Sequence, residues 1–148
     1  PDPRRSAGRT PRMRALAVDL GTKRIGVALG ESDVAVVSPR PALAASGRLA
    51  DDTRTLAALA RREEVGIVVV GLPVELSGEE GRMARVCRKL AELIAAEGFQ
   101  TAMQDETLSS VEADARMSEF DMTGAERRKK RDSEAACLIL ERWFRGTA

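Results

Sequence analysis

At 148 residues, 43% of them hydrophobic, the chain has the size of one domain and enough apolar content to build a core. It contains no histidine, which excludes Ser-His-Asp and Cys-His catalysis, His-ligated zinc and imidazole acid–base chemistry. The formal net charge of +1 hides a segregation, with basic runs at 1–14 and 127–131 set against an otherwise acidic chain, a pattern suited to an anionic polymer touching selected patches.

Residues 1–13 read as a basic, flexible N-terminal extension, and 14–146 as the domain. Arg4, Arg5, Arg9, Arg12 and Arg14 face one acid, Asp2, with no apolar stretch of a secretory leader. RALAVDL (14–20) and RIGVALG (24–30) are two strands around the turn Gly21-Thr22-Lys23. VAVV (34–37) predicts a third strand, ended by Pro39 and Pro41. Asp51 or Asp52 is placed to cap a helix running to about Glu64, with Leu56, Leu59 and Ala60 on its inner face. VGIVVVG (65–71) is a strand buried on both faces. Ser77 and Glu80 form a capping box for a helix whose apolar stripe is Met83, Val86, Cys87, Leu90, Leu93 and Ile94, closed by Gly98. QTAMQDE (100–106) gives a fifth strand. A second capping box, Ser109 and Glu112, opens a short helix to about Met117. Residues 118–131 are polar and read as a mobile loop, and a last helix runs from about Asp132 to Phe144.

This order predicts an α/β fold: a mixed five-stranded sheet, antiparallel over its first three strands and then built from parallel βα units, with helices on both faces. No apolar run approaches the ~20 residues that span a bilayer, so a cytoplasmic protein without a membrane partner is expected. Cys87 and Cys137 sit among apolar residues at helical spacing and read as small core residues of a reducing compartment. The chain has no tyrosine, and its aromatics are Phe99, Phe120, Trp143 and Phe144, which gives no stacking platform for single-stranded bases. Contact with nucleic acid would rest on backbone and shape.

Carboxylates are the remaining tools for chemistry. Asp19 stands near the end of an apolar strand, where a charge is costly unless paired or bound to a cation; a turn aspartate bonding the Gly21 or Thr22 backbone fits equally well. The D-x-G-T at 19–22 also resembles phosphate-holding turns of sugar kinases and actin-like ATPases, but those need two domains and an interdomain cleft. Asp105 and Glu106 end a strand at the same sheet edge, or are simply a solvated strand end. Asp132 leads the buried stripe of Ala136, Ile139, Leu140 and Trp143, or is an ordinary helix cap. Taken together, Asp19, Glu106 and Asp132 converge on one rim, where their mutual repulsion calls for a cation. Hard oxygen ligands without histidine or thiolate point to Mg²⁺ or Mn²⁺, as two ions acting on a phosphodiester. Lys23 and Arg24, and the run Arg127, Arg128, Lys129, Lys130 and Arg131, are candidates for holding backbone phosphates; the run also reads as a solvated loop. The loop 71–81, its backbone set by Gly71, Pro73 and Gly78, either lines the substrate or merely connects strand to helix.

Four blocks, AVDLGTKRIGVALG (17–30), VVVGLPVELSGEEG (68–81), DETLSSVEA (105–113) and KKRDSEAACLILERWF (129–144), resemble in order and spacing the signature blocks of the YqgF family, also called RuvX. The resemblance runs from about residue 14 to 144. It implies an RNase H-like fold related to the junction resolvase RuvC. It also implies a metal-dependent nuclease, described for the family both as a 5′-end processing nuclease of precursor 16S rRNA and as a Holliday junction resolvase. The implied partners are structured RNA or branched DNA, with the protein a monomer or homodimer. The family's site acids fall on Asp19, on Glu106 with Asp105 supporting it, and on Asp132. Two positions depart from the pattern: Thr107 stands where the family usually has Arg, and Arg131 where an apolar residue usually precedes the helix acid. Family domains of this type also occur as non-catalytic scaffolds, and retention of all three acids favours the enzyme.

Overall fold

The computed structural model describes residues 13–34, 36–74, 77–106 and 124–146, and the side chains of the last helix from Ser133 onward. The elements are β1 (Arg14–Leu20), β2 (Arg24–Glu31), β3 (Val36–Ala44), α1 (Leu49–Arg62), β4 (Ile67–Leu72), α2 (Arg82–Ala96), β5 (Gln100–Asp105) and α3 (Gly124–Gly146). The five strands form one sheet in the order β3-β2-β1-β4-β5. β1 pairs antiparallel with β2 and parallel with β4, and β4 pairs parallel with β5. This is the predicted mixed sheet.

β1 and β4 lie inside the sheet because their sequences are mostly apolar. Ala15 to Val18 and the whole of β4 are buried. Side-chain alternation divides them between two cores. Leu16, Val18, Leu20, Val68, Val70 and Leu72 pack under α1 and α2, against Leu56, Leu59, Cys87, Leu90 and Ile94. Ala15, Ala17, Ile67 and Val69 face α3, against Ala136, Cys137, Ile139 and Leu140. The smaller residues on the second face bring α3 close to the sheet. The predicted inner faces of all three helices are therefore found, with Met83, Val86, Leu93 and Trp143 only partly covered. Both cysteines are buried, and neither is in a disulfide. Among the described residues no helix is long and apolar enough to cross a membrane.

Four boundaries differ from expectation. β3 runs through Pro39 and Pro41 instead of ending at them. It is an edge strand, so a proline can leave its missing N–H on the open side, and the register against β2 shifts between Ile25 and Val27 to accommodate the run. Helix α1 starts at Leu49, and its N-cap is Arg48 without a side-chain bond. Asp52 is buried and instead accepts a hydrogen bond from the Ser46 backbone N–H at 3.0 Å, tying the incoming loop to the helix. Asp52→Ala is expected to cost about 1–2 kcal/mol in urea unfolding, and Asp52→Asn much less, because the amide oxygen still accepts. The Ser77–Glu80 capping box does not form. Gly81 is the N-cap of α2 without a side-chain bond, Ser77 Oγ accepts from the Glu79 N–H, and Glu80 pairs with Arg88.

The fourth difference bears on the site. α3 begins at Gly124, so Asp132 does not open it but stands eight residues inside. Ala125, Glu126 and the Arg/Lys run are strong helix formers, and a helix lacking an apolar stripe is easily read as loop. The cap reading of Asp132 falls with this boundary, and the RRKKR run lies on helix, not loop. The helix predicted at 109–117 and the extension at 1–12 lie outside the described residues. Arg14, counted among the basic terminal arginines, is fixed: its guanidinium donates to Glu31 Oε1 at 3.0 Å and to the Glu63 carbonyl at 2.7 Å.

Candidate metal and nucleic-acid site

Asp19 follows Ala15 and Ala17 on the α3 face of β1, the sixth residue of a seven-residue strand. The turn after it is tight. The Gly21 N–H donates to the Arg24 carbonyl at 2.9 Å, and a Cβ at Gly21 would lie 2.6 Å from that oxygen, so a side chain is excluded there. The turn thus carries Thr22 and Lys23 out to solvent and returns the chain into β2 at the half-buried Arg24.

Glu106 lies just past β5, and its N–H extends the parallel ladder by donating to the Leu72 carbonyl at 3.1 Å. Alternation from Ala102 puts it on the α3 face, and puts the exposed Asp105 on the other. The side chain of Glu106 turns inward over β4. A Cβ placed on Gly71 would be 2.8 Å from Glu106 Oε2 and 2.6 Å from Ile139 Cδ1. There it is hydrogen-bonded to Asp19, two strands away.

Two half-buried acids in contact cannot both hold a charge cheaply. Burial, followed by the hydrogen bond and charge of Asp19 and then the charge of Asp105, pushes the Glu106 carboxyl up to about 9. Near neutral pH it keeps its proton and donates to the Asp19 carboxylate. Below the sheet, Cys87 feels the same charges. Burial first, then Glu106 and Asp19, push its thiol up to about 12, so it stays an uncharged, inert core thiol.

Of the three predicted acids, Asp19 and Glu106 are brought together. Position 132 lies on α3 one turn before Ala136, on the helical stripe of Ile139 and Leu140, and its side chain is outside the described ones. Beside it, the buried Ser133 hydroxyl donates to the Arg40 carbonyl of β3. The side chains of Arg127 to Arg131 are likewise outside the description. Among the described residues no group of three or more acids, cysteines or histidines is assembled. Sequence reasoning places Gly71 both at the end of the strand 65–71 and in the loop that follows, but misses its use; it lies inside β4, and a lone glycine in a buried β-branched strand is the signal for a close approach.

A mixed sheet of this order, helices on both faces and acids meeting at the rim where β1 and β5 end, defines an RNase H-like domain. The fold likeness is direct: RuvC of Thermus thermophilus, solved with a Holliday junction substrate, superposes with a TM-score of 0.58 at 13% identity, covering 91% of this chain and 95% of that one. A family model named RuvX and described as Holliday junction resolvase matches residues 13–146. A protein of Anaeromyxobacter sp. (strain Fw109-5), named as a candidate pre-16S rRNA nuclease, is 41% identical over 135 residues, 90% of this chain and 98% of its own length. A Myxococcus xanthus (strain DK1622) protein of the same name is 37% identical over 133 residues, 89% of this chain and 87% of its own. The chain belongs to the RuvX family.

Proposed function

We propose that the chain is a divalent-metal-dependent nuclease that trims the 5′ end of precursor 16S rRNA, with Asp19, Glu106 and Asp132 holding Mg²⁺ or Mn²⁺, as two ions. The reading takes its substrate from the names its relatives carry and its chemistry from one observation, the contact of Asp19 with Glu106 over a strand that has no side chain there. The donor set suits such ions. It offers hard oxygens only, and it is partly shielded from water. When bound, such ions activate a water and stabilise the departing oxygen of a phosphodiester.

The protein's own part is to hold acids and substrate in fixed relation. Asp19 sits on a buried strand followed by a turn that tolerates only glycine at position 21, so its carboxylate moves little. Asp105 adds negative charge beside Glu106 and strengthens its draw on a cation. Lys23 and Arg24 leave the Asp19 turn and are positioned to hold backbone phosphates, with Arg127, Arg128, Lys129, Lys130 and Arg131 as the second basic element. The compartment that goes with this substrate is the cytoplasm.

Branched-DNA cleavage is the second reading, favoured by the family description and by RuvC as a fold neighbour. Resolving a symmetric junction calls for a two-fold dimer. A 5′-extended 16S precursor fragment and a four-way junction offered side by side, with Mn²⁺ or with chelator, separate the two. Metal-dependent cleavage of the rRNA fragment alone is expected. Junction cleavage by a dimer would replace the first reading with the second. Binding without cleavage of either, unchanged in Asp132→Asn, would reduce the protein to a scaffold.

A further inference from the structure

We propose that Gly71 is a positioning residue of the metal site: its missing side chain is the slot through which Glu106 crosses β4 to meet Asp19. The inference rests on the metal-site reading of those two acids. The sheet order places β4 between β1 and β5. Neighbouring strands lie about 4.8 Å apart, so the first and third of three are separated by about twice that. A glutamate can bridge such a gap only by lying over the intervening strand.

The register puts the obstacle in a known place. Val18 pairs with Val70, so Asp19 continues opposite Gly71, and Gly71 in turn pairs with Gln104. Val69, two residues earlier on the same face, fills the corresponding space with a side chain packed on α3. At Gly71 the space is taken by Glu106 Oε2 and Ile139 Cδ1, at 2.8 and 2.6 Å from where a Cβ would stand. Both are far ends of flexible side chains. Adding a methyl group therefore does not demand a backbone shift; it demands that the Glu106 carboxylate and the Ile139 methyl both move aside. Gly71 is in a strand and has no positive φ, so its backbone does not explain the glycine. The slot does.

The test is Gly71→Ala, alone and with Ile139→Val, which removes the Cδ1 that also crowds the site. Both variants should fold, and the double variant should recover the wild-type Tm. Mn²⁺ affinity by calorimetry should fall at least tenfold in both, and rRNA cleavage about a hundredfold, with RNA affinity in chelator unchanged. A metal-free crystal structure of the double variant should show the Glu106 carboxylate turned away from Asp19. If glycine serves packing alone, relieving Ile139 restores metal binding and cleavage together with Tm, and that outcome overturns the proposal. So does a Glu106 that keeps its contact with Asp19 in the Gly71→Ala protein. The metal-free geometry reads the slot without reference to catalysis. A wild-type protein that cleaves nothing would remove the nuclease reading while a displaced Glu106 still upheld the slot.

Discussion

Asp19→Asn is expected to lower the cleavage rate about a thousandfold, the scale of losing one main stabiliser of transition-state charge, about 4 kcal/mol. Asparagine has nearly the same shape and can still hydrogen-bond Glu106, so the fold has no reason to change. What is lost is the charge. The measurement is single-turnover cleavage at saturating Mn²⁺, with RNA binding in chelator as the control. Metal-free Asp19→Asn should also be at least as stable as the wild type at pH 8, because it removes a carboxylate that crowds Glu106. A variant that lost activity because it unfolded would fail this second comparison. One that cleaved at wild-type rate would take Asp19 out of the chemistry.

The second large effect is in the pH dependence of stability without metal. Glu106 in the folded protein is pushed up to about 9, whereas the unfolded chain has the ordinary glutamate value of 4.5. Between those values the folded state keeps a proton that the unfolded state has released. The contribution of this group is therefore complete below about pH 4.5 and declines as the pH rises towards 9. The slope is at most about 1.4 kcal/mol per pH unit. Urea unfolding in chelator from pH 5 to 9 should show the decline, and Glu106→Gln should flatten it. A divalent cation must displace the same proton, so Mn²⁺ should bind more tightly as pH rises. At a hundredfold excess over its Kd the ion stabilises by about 2.7 kcal/mol, a gain absent from Glu106→Gln. A wild-type protein whose metal-free stability rose over this range would contradict the contact.

Much of this is legible in the sequence, because the strongest signals are periodic. β4 is visible as an apolar run and β1 as one interrupted by Asp19, and the inner faces of α1 and α2 follow from helical spacing. Asp19 is identifiable because a charge near the end of an apolar strand needs a reason, whereas Glu106, past a partly exposed edge strand, stands out through its family block. What escapes has no periodic signature. Pro39 and Pro41 read as stops, since a proline's place in a sheet depends on whether its strand is an edge, which is a property of the whole topology. The first turns of α3 have helix-forming residues without an apolar stripe, so pattern favours a loop where propensity favours helix. Asp52 is recognisable as belonging to a helix start but not as bonding back to Ser46. Gly71 has a local signal, a lone glycine among valines, but its use depends on two acids distant in sequence meeting above it.

The sharpest test is a crystal of the wild-type protein soaked in Mn²⁺ and measured at the manganese absorption edge. Anomalous peaks should appear between the carboxylates of Asp19 and Glu106, with an oxygen of Asp132 completing the coordination at a little over about 2 Å. Manganese bound elsewhere, or carboxylates left in contact through their proton with no ion beside them, would contradict the metal site.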